Sequence, residues 1–363
     1  MKHRMDLEDE QRDIHVLAVD DSAVVREMMS LILPDSNGLT VSVAADPVIA
    51  MRKIDEHRPD VILLDLEMPR IDGLSFLKHI MTQDPIPVVI CSAVADRGTK
   101  IALEALARGA FDVLVKPKRG IAEFIEKSAP EFRMILRAAA KSAHRNRARA
   151  RTVPIRPLAK QKTASPRLDE GCSGRFEVVA IGTSTGGPQA LTQLLGELDP
   201  SCPGLVIVQH MPPSFTTALA SRLNDKCEIS VHEASHGDIV SPGTALISPG
   251  DRHLMLVRSG PRFSVALADG PNVNGHKPSV DVLFKSVARA AGSRACGVIL
   301  TGMGSDGACG LAEMRKAGAL TLGESEASCV VYGMPQRAFE IGAVERVVDL
   351  SEVAPAIGNS GED

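Results

Sequence analysis

Residues 61–73 read VILLDLEMPRIDG, a short apolar run that ends at Asp65 and passes into a loop with proline and glycine. Similar short apolar runs occur at HVLAV (15–19), LTVSVA (39–44), PVVICS (87–92) and FDVLV (111–115). Longer stretches of helical periodicity separate them, and such alternation is typical of a parallel sheet covered by helices. We therefore predict a doubly wound, flavodoxin-like α/β domain with five parallel strands over residues 14–137.

The alternation resumes in the second half of the chain, so we predict a second doubly wound, mostly parallel α/β domain over residues 175–358. Its strands are predicted at FEVVAIG (176–182), GLVIVQH (204–210), CGVILTG (296–302) and GALTLG (318–323). Between His232 and Leu267 the runs TALISPG, HLMLV and FSVAL lie among glycine and proline, and this pattern predicts a small antiparallel β insertion.

The remaining segments are predicted to be a charged N-terminal extension (1–13), a linker (138–174) and a short tail (359–363). From Lys141 to Arg167 the chain has nine Lys or Arg and no Asp or Glu. This composition indicates a basic linker that is helical at its start. A plain solvated linker and a segment that meets an acidic partner surface are both compatible with it.

Composition excludes several classes of protein. The net charge of −4 argues against general nucleic-acid binding, which needs excess positive charge to meet phosphates. The seven cysteines are scattered without a C-x-x-C pair, so we expect free thiols in a reducing compartment. Because no apolar run approaches the roughly 18 residues of a membrane span, we expect a cytoplasmic protein without membrane insertion.

Polar residues at the ends of the first domain's strands form the first candidate site. Asp20 and Asp21 follow the first strand, Asp65 the third, Ser92 ends the fourth and Lys116 follows the fifth. Ligands of such sheets gather at the carboxyl ends of the strands, where carboxylates suit Mg²⁺ and a lysine suits a phosphoryl group. Any one of these acids could instead cap a helix, but their coincidence at one sheet edge favours a site.

This arrangement resembles the receiver domain of bacterial response regulators over its entire length. The resemblance implies that Asp65 is phosphorylated by a histidine kinase and that Asp20, Asp21 and Asp65 bind the Mg²⁺ ion required for phosphorylation. It further implies that Ser92 and Lys116 transmit the switch. Phosphorylation would add negative charge beside Lys116.

The second candidate site begins at Ser184, in the sequence Gly182-Thr183-Ser184-Thr185-Gly186 between a strand and a helix. The G-x-S-x-G pattern exposes a serine hydroxyl on a sharp turn, and a base must then take its proton. Of the ten histidines, His210 ends the strand GLVIVQ, and Asp306 follows CGVILTG. The order Ser, His, Asp disfavours the α/β-hydrolase fold, where the order is Ser, Asp, His.

The second domain resembles the catalytic domain of the chemotaxis protein-glutamate methylesterases. The matching segments are GTSTGGPQAL, QHMPPSFT, GHKPSVDVLF, TGMGSDGA and VVYGMPQ. The resemblance implies hydrolysis of γ-glutamyl methyl esters on chemoreceptors, with deamidation of glutamines in many members, and no cofactor in this domain. Ser184 would be the nucleophile, His210 the base and Asp306 its orienting acid.

Backbone amides are expected to bind the oxyanion. The amide of Met303 is chosen by the resemblance and that near Thr185 from the N-terminus of the following helix. His276 is expected to shape the substrate groove, and His253 to be structural. The segment TLGESEASCVV (321–331) departs from the family pattern, since Gly323 and Glu324 replace a glutamine-containing segment. Substrate or interface detail can differ there.

Two alternatives remain open from the sequence. The second domain could be a non-catalytic effector in which GTSTGG cradles a phosphate, although its glycine spacing fits no phosphate-loop pattern and leaves His210 and Asp306 unexplained. The same esterase chemistry could also serve a signalling pathway other than chemotaxis. We predict a receptor methylesterase controlled by phosphorylation.

Overall fold

The structure is a computed structural model that divides into two compact units, Met1–Pro157 and Leu158–Asp363. It describes residues 13–34, 38–68, 73–92, 96–116, 129–130, 132–142 and 176–358, apart from the side chains of 92, 96–100 and 115. Most of the predicted linker therefore lies outside the described residues, as do the extension over 1–12 and the tail over 359–363. The domain boundaries stay predictions.

The first unit is the predicted five-stranded parallel sheet, with strand order β2-β1-β3-β4-β5. Its strands are β1 (Ile14–Val19), β2 (Leu39–Ala44), β3 (Val61–Leu64), β4 (Val88–Ser92) and β5 (Asp112–Val115). Its helices are α1 (Ala23–Ile32), α2 (Pro47–Glu56), α3 (Gly73–Gln83), α4 (Asp96–Ala107) and α5 (132–142). All four residues of β3 are buried, as expected of a central strand covered on both faces.

Sequence signals at the helix ends of this unit match the structure. The Ser22 hydroxyl accepts a hydrogen bond from the amide of Val25 and so caps α1. Asp46 accepts one from Ile49 at the start of α2, whose first residue is Pro47. These caps satisfy amides that have no partner within the helix, and proline at the first position costs no hydrogen bond.

The second unit is built on a seven-stranded sheet with strand order β14-β13-β12-β6-β7-β9-β8, in which all pairs are parallel. Its strands are β6 (Val178–Thr183), β7 (Gly204–Gln209), β8 (Ser230–Glu233), β9 (Thr244–Ile247), β12 (Ala295–Ile299), β13 (Leu320–Glu324) and β14 (Arg346–Val348). Its α-helices are α6 (Gly187–Gly196), α7 (Pro213–Asn224), α8 (Val280–Ala290), α9 (Ala308–Lys316), α10 (Met334–Glu340) and α11 (Leu350–Ile357). A separate antiparallel pair consists of β10 (His253–Ser259) and β11 (Arg262–Ala268).

The α/β fold class is confirmed, but the predicted antiparallel insertion was too large. Only HLMLV and FSVAL pair antiparallel, whereas TALI forms β9 and lies parallel between β7 and β8. TALI lies among glycine and proline together with HLMLV and FSVAL, so the sequence favoured one antiparallel group for all three runs. The prediction also missed β8 and β14, which are edge strands of four and three residues.

The central strands of this sheet position the second candidate site. β6 pairs with both β7 and β12, so the carboxyl ends of these three strands lie side by side. Thr183 at the end of β6 pairs with Gln209 at the end of β7. The residues that follow the strands, Ser184, His210 and the loop to Asp306, are thus delivered to one edge of the sheet.

Candidate functional site

Ser184 lies on a tight turn between β6 and α6. Its amide donates to the carbonyl oxygen of Thr301 at 3.1 Å, and its own carbonyl accepts from the amide of Gly187 at 2.8 Å. Gly186 takes a φ of +79°, and a Cβ there would lie 2.6 Å from the Cβ of Val330. The turn therefore requires glycine at 186 both for its backbone conformation and for space.

Thr301 follows β12 and fixes the turn that carries Ser184. Besides binding Ser184, its carbonyl accepts the Thr183 hydroxyl at 2.9 Å, and its own hydroxyl donates to the carbonyl of Thr185 at 3.0 Å. The following Gly302 allows close approach, because a Cβ there would lie 2.9 Å from the Cβ of Ser184. The backbone around Ser184 is thus held on both sides.

His210 follows β7 beside Ser184 and is paired with Asp306. The amide of His210 donates to the carbonyl of Thr183 at 3.1 Å, and its ring Nε2 lies 2.9 Å from Oδ2 of Asp306. A carboxylate only accepts hydrogen bonds, so Nε2 carries the proton and Nδ1 of the neutral ring is free to accept one. Among the described residues, Nδ1 has no hydrogen-bond partner although it is buried.

Asp306 is buried at the N-terminus of α8. Its Oδ2 accepts from the amide of Val280 at 2.7 Å, and its Oδ1 accepts from the Ser279 hydroxyl at 2.8 Å, the Asn274 side chain at 2.9 Å and the Asp281 amide at 3.3 Å. Burial alone would raise the pKa of Asp306, but the hydrogen bonds from His210, Asn274 and Ser279 outweigh it and hold the pKa below its ordinary value. Asp306 is therefore an anion at neutral pH.

Two further histidines surround this pair. The ring of His276 stacks on that of His210, with 3.9 Å between centroids and 8° between planes. Burial and the neighbouring His210 lower the pKa of His276 to about 4, so this ring is neutral at neutral pH. His253 donates from Nε2 to the carbonyl of Pro271 at 3.0 Å and accepts at Nδ1 from the amide of Ser279 at 3.2 Å.

The two backbone amides predicted to bind an oxyanion are both close to Ser184, one in the chain and one through Gly302. Thr185 follows it directly, and Met303 follows Gly302, whose amide and carbonyl are both engaged in backbone hydrogen bonds. Neither the Thr185 nor the Met303 amide donates to another residue in the described part of the chain. Both donors are thus available to a ligand.

The first unit brings four of its five predicted site residues together. Carboxylate oxygens of Asp20, Asp21 and Asp65 lie within 4.8 Å of one another. Lys116 contacts two of these acids, with its Nζ 2.7 Å from Oδ2 of Asp20 and 2.6 Å from Oδ2 of Asp65. Ser92 ends β4 opposite Val115, and its side chain lies outside the described residues.

The charge of this cluster fits a divalent cation. Three carboxylates face one ammonium group, which leaves an excess of negative charge, and oxygen ligands are those that Mg²⁺ prefers. Burial raises the pKa of Asp20 despite its hydrogen bond to Lys116. The ionised form of this carboxyl is therefore less favourable here than on an exposed aspartate. Burial would lower the pKa of Lys116, but Asp20 and Asp65 raise it above its ordinary value.

Comparison with known proteins decides the family. Residues 16–127 match the response regulator receiver domain and residues 179–357 match the CheB methylesterase domain. A protein-glutamate methylesterase/protein-glutamine glutaminase of Hahella chejuensis is 48% identical over 96% of this chain and 96% of its own length. The chain belongs to this methylesterase family. The family predicted from the motifs is confirmed, as is a receiver domain that makes the enzyme subject to phosphorylation.

Other methylesterases are similar in the same way. A relative from Xanthomonas euvesicatoria is 48% identical, with 94% of this chain and 99% of that protein covered. The crystal structure of the Thermotoga maritima CheB methylesterase catalytic domain is 36% identical, covers 50% of this chain and 97% of that domain, and aligns with a TM-score of 0.49. Within the described residues of the present methylesterase, no helix is both long and apolar enough to cross a membrane.

Several residues around the methylesterase site were not predicted from the sequence. Thr301, Gln209 and Asn274 were missed, although Gln209 directly precedes His210 and Asn274-Gly275 is a strong turn signal. The Gln209 side-chain amide donates to the carbonyls of Ser184 and His210, at 2.9 and 3.2 Å. Glu324, noted only as a departure, accepts a hydrogen bond from the amide of Thr301 at 2.7 Å.

Proposed function

We propose that this chain removes methyl groups from glutamate methyl esters of chemoreceptors, and deamidates receptor glutamines, with Ser184 as nucleophile. The observation that carries the proposal is the pairing of His210 with Asp306 at the strand end next to that of Ser184. The ring Nε2 lies 2.9 Å from Oδ2 of Asp306, and the buried Nδ1 has no hydrogen-bond partner among the described residues. A serine needs a neighbouring base in one tautomer, and this ring has the proton at Nε2 and a free acceptor at Nδ1.

The reaction would proceed in two stages. Ser184 Oγ attacks the side-chain carbonyl carbon while its proton passes to Nδ1 of His210, and a tetrahedral oxyanion forms. That oxyanion lies at the amides of Met303 and Thr185, each donor being worth about 3 kcal/mol of barrier. The C–O bond to methanol then breaks as His210 returns the proton to the leaving oxygen. Water attacks the acyl-serine by the same route and releases glutamate and Ser184.

Deamidation would use the same residues, with ammonia in place of methanol as the leaving group. Asp306 does not take a proton in this scheme, because its low pKa keeps it ionised. It holds the His210 ring in orientation and stabilises the positive charge that forms on it. His276 stays neutral and closes one face of that ring, and His253 supports the loop.

We propose that Asp65 is the phosphoryl acceptor of the receiver domain and that a histidine kinase of the chemotaxis system is the phosphodonor. Asp20, Asp21 and Asp65 would hold Mg²⁺, which neutralises the charge of the incoming phosphoryl group. Lys116 contacts Asp20 and Asp65 and is placed to pair with that group, and Ser92 is proposed to follow it as a switch residue. The enzyme would act in the cytoplasm, without a cofactor in the catalytic domain.

The test is methanol release from methylated receptor membranes by the intact protein and by Ser184→Ala, each with and without Mg²⁺ and acetyl phosphate. Release that acetyl phosphate stimulates and Ser184→Ala abolishes supports both the nucleophile and the switch. Equal release by the two proteins would remove Ser184 from its role. No release from chemoreceptors, together with Ser184-dependent hydrolysis of another protein ester, would assign the enzyme to another signalling pathway.

A further inference from the structure

One side chain outside the predicted triad contacts its acid directly. The Nδ2 group of Asn274 donates to Oδ1 of Asp306 and to Oδ2 of Asp281, at 2.9 Å in each case. Both carboxylates are buried, at 1% and 3% exposure, whereas Asn274 faces solvent. The side-chain amide of Asn274 thus covers two buried carboxylates from the solvent side and donates one hydrogen bond to each.

The two carboxylates belong to a reciprocal arrangement of two helices. Asp306 precedes α9 but accepts from the first amides of α8, those of Val280 and Asp281. Asp281 lies in the first turn of α8 but accepts from the amide of Gly310 in α9 at 2.7 Å. Each helix therefore places a carboxylate at the positive end of the other. Asn274 joins the two acids where these helix ends meet.

The backbone explains why an asparagine stands at this position. Val273 and His276 exchange both backbone hydrogen bonds, at 2.9 and 3.0 Å, around Asn274 and Gly275. Asn274 has a φ of +54° and Gly275 one of +85°, which are the left-handed values of a two-residue reverse turn. Asparagine is among the few residues with a side chain that tolerate this conformation. The same turn places His276 on the ring of His210.

We propose that Asn274 is a positioning residue of the esterase: by binding Oδ1 of Asp306 it fixes the carboxylate so that Oδ2 faces Nε2 of His210. This inference rests on the proposed function, in which that pair sets the tautomer of the base. Asp306 has donors on both oxygens, and a rotation of the carboxylate would exchange the two. Besides Ser279 at the start of α8, Asn274 in the turn between Val273 and His276 donates to Oδ1. His276 of the same turn stacks on His210, so this turn contacts both members of the pair.

Two substitutions test the side chain without disturbing the turn, because glycine and aspartate also tolerate a positive φ. Asn274→Gly removes the donor, and we expect kcat to fall about tenfold to a hundredfold, as for the loss of a hydrogen bond to a charged group, with KM unchanged. Asn274→Asp places a third carboxylate against the other two. We expect a larger loss at pH 8, and a ratio to wild type that rises as the pH falls towards 6.

Asn272→Ala is the matched control, since Asn272 lies on the same loop and, within the described part of the chain, its side chain donates to the carbonyl of Gly275 alone, at 3.1 Å. A second readout is the downfield ring N–H resonance of His210 in proton NMR, assigned by its loss in His210→Gln. We expect Asn274→Gly to shift or broaden this signal and Asn272→Ala to leave it in place. An unchanged resonance and unchanged kcat in Asn274→Gly would overturn the proposal.

The readouts separate this inference from the proposed function. Wild type that releases no more methanol than Ser184→Ala would contradict the function, and the resonance would still decide whether Asn274 orients the pair. If activity depends on Ser184 but is the same in Asn274→Gly as in wild type, the esterase function stands and the positioning role of Asn274 is overturned. Equal loss in Asn272→Ala and Asn274→Gly would assign the effect to the loop as a whole and would also overturn it.

Discussion

Nε2 of His210 and Oδ2 of Asp306 are 2.9 Å apart, and this contact fixes the proton of the neutral ring on Nε2. With Nε2 bound to the acid, Nδ1 is the nitrogen left free to accept a proton, and in the proposed mechanism that proton comes from Ser184. The positions of His210 after β7 and of Asp306 in its loop bring Nε2, and not Nδ1, against the carboxylate. In the proposed mechanism Asp306 therefore sets which nitrogen of His210 serves as the base.

Asp306→Asn should lower kcat by about 10³-fold to 10⁴-fold while the protein stays folded. An amide at this position removes the negative charge that stabilises the protonated ring, and it can donate to Nε2 and so favour the tautomer with the proton on Nδ1. That tautomer cannot accept the proton of Ser184. Initial rates of methanol release measure the effect, and circular dichroism checks the fold.

The control for this substitution is Asp225→Asn, which changes an exposed aspartate at the C-cap of α7. It should retain wild-type kcat. An Asp306→Asn enzyme with more than a tenth of wild-type kcat would contradict the assigned role of the acid.

Gly302→Ala should inactivate the enzyme and destabilise its catalytic domain. The added Cβ would lie 2.4 Å from the Met334 sulfur and 2.9 Å from the Ser184 Cβ, so the nucleophile or the neighbouring loop must move. Overpacking of this kind costs about 1–3 kcal/mol, and a displaced nucleophile loses the alignment that catalysis needs. Urea denaturation measures the stability, and methanol release measures the activity.

Gly196→Ala is the matched control, because a Cβ at Gly196 would meet nothing within 4 Å. Its stability should stay within about 1 kcal/mol of wild type or rise, since alanine favours the helix. Full activity in Gly302→Ala would show that Ser184 is less tightly packed than the structure indicates.

The sequence predicted the fold, and the placement of the candidate site residues at one sheet edge, because both depend on local patterns. Apolar runs of strand length identified the central strands, and strand-end residues identified Ser184, His210 and Asp306, which parallel pairing brings to one edge. The failures arise where the pattern is short or ambiguous. β9 was predicted in the wrong sheet because it lies among glycine and proline with the two strands of the antiparallel pair, although it pairs in parallel with β7 and β8.

The supporting residues of the site could not be predicted from the sequence because their roles depend on long-range contacts. The carbonyl of Thr301 binds the amide of Ser184, which lies 117 positions earlier in the chain. The side chain of Asn274 binds Asp306, which lies 32 positions later. Nothing in the local pattern shows which donor will meet which acceptor. Asn274-Gly275 could have been recognised as a turn, but its partners become visible only once α8 and α9 are packed together.

Asp65→Asn should keep basal esterase activity and lose its stimulation by acetyl phosphate. The amide is a poor phosphoryl acceptor and also removes one of the charges that hold Lys116. Methanol release with and without Mg²⁺ and acetyl phosphate tests this, together with incorporation of labelled phosphate. Asp55→Asn, at an exposed aspartate of α2, is the control and should respond as wild type does. Undiminished stimulation of Asp65→Asn would reassign the acceptor.

Glu324→Gln should stabilise the catalytic domain at neutral pH and leave it unchanged in acid. Glu324 is 1% exposed, and its carboxylate accepts from the Thr301 amide at 2.7 Å and from the Ser328 hydroxyl at 3.0 Å. Burial raises its pKa above the ordinary value of 4.5 despite these hydrogen bonds. Glutamine can keep both contacts, since its oxygen accepts from Thr301 and its amide donates to the Ser328 oxygen.

The sign of the pH dependence follows from that raised pKa. Below about pH 4 the carboxyl is protonated in the folded and unfolded states alike, and burial carries no ionic cost. As the pH rises, the unfolded chain releases the proton first, so wild type loses stability up to and through the folded-state pKa. The Tm of Glu324→Gln should therefore exceed that of wild type by a margin that grows as the pH rises from about 4 through the folded-state pKa of Glu324 and is constant above it.

Thermal unfolding of the two proteins across this pH range measures the difference in Tm. For a domain of this size, each kcal/mol of unfolding free energy changes Tm by about 2–4 °C. Glu345→Gln, at an exposed glutamate of the same unit, should show a margin near zero at every pH. If Glu324→Gln is less stable than wild type at pH 8, the hydrogen bond from the Thr301 amide to the ionised carboxylate stabilises the fold by more than burial of the charge costs. In that case Glu324 would act as an anionic support for the turn that carries Ser184.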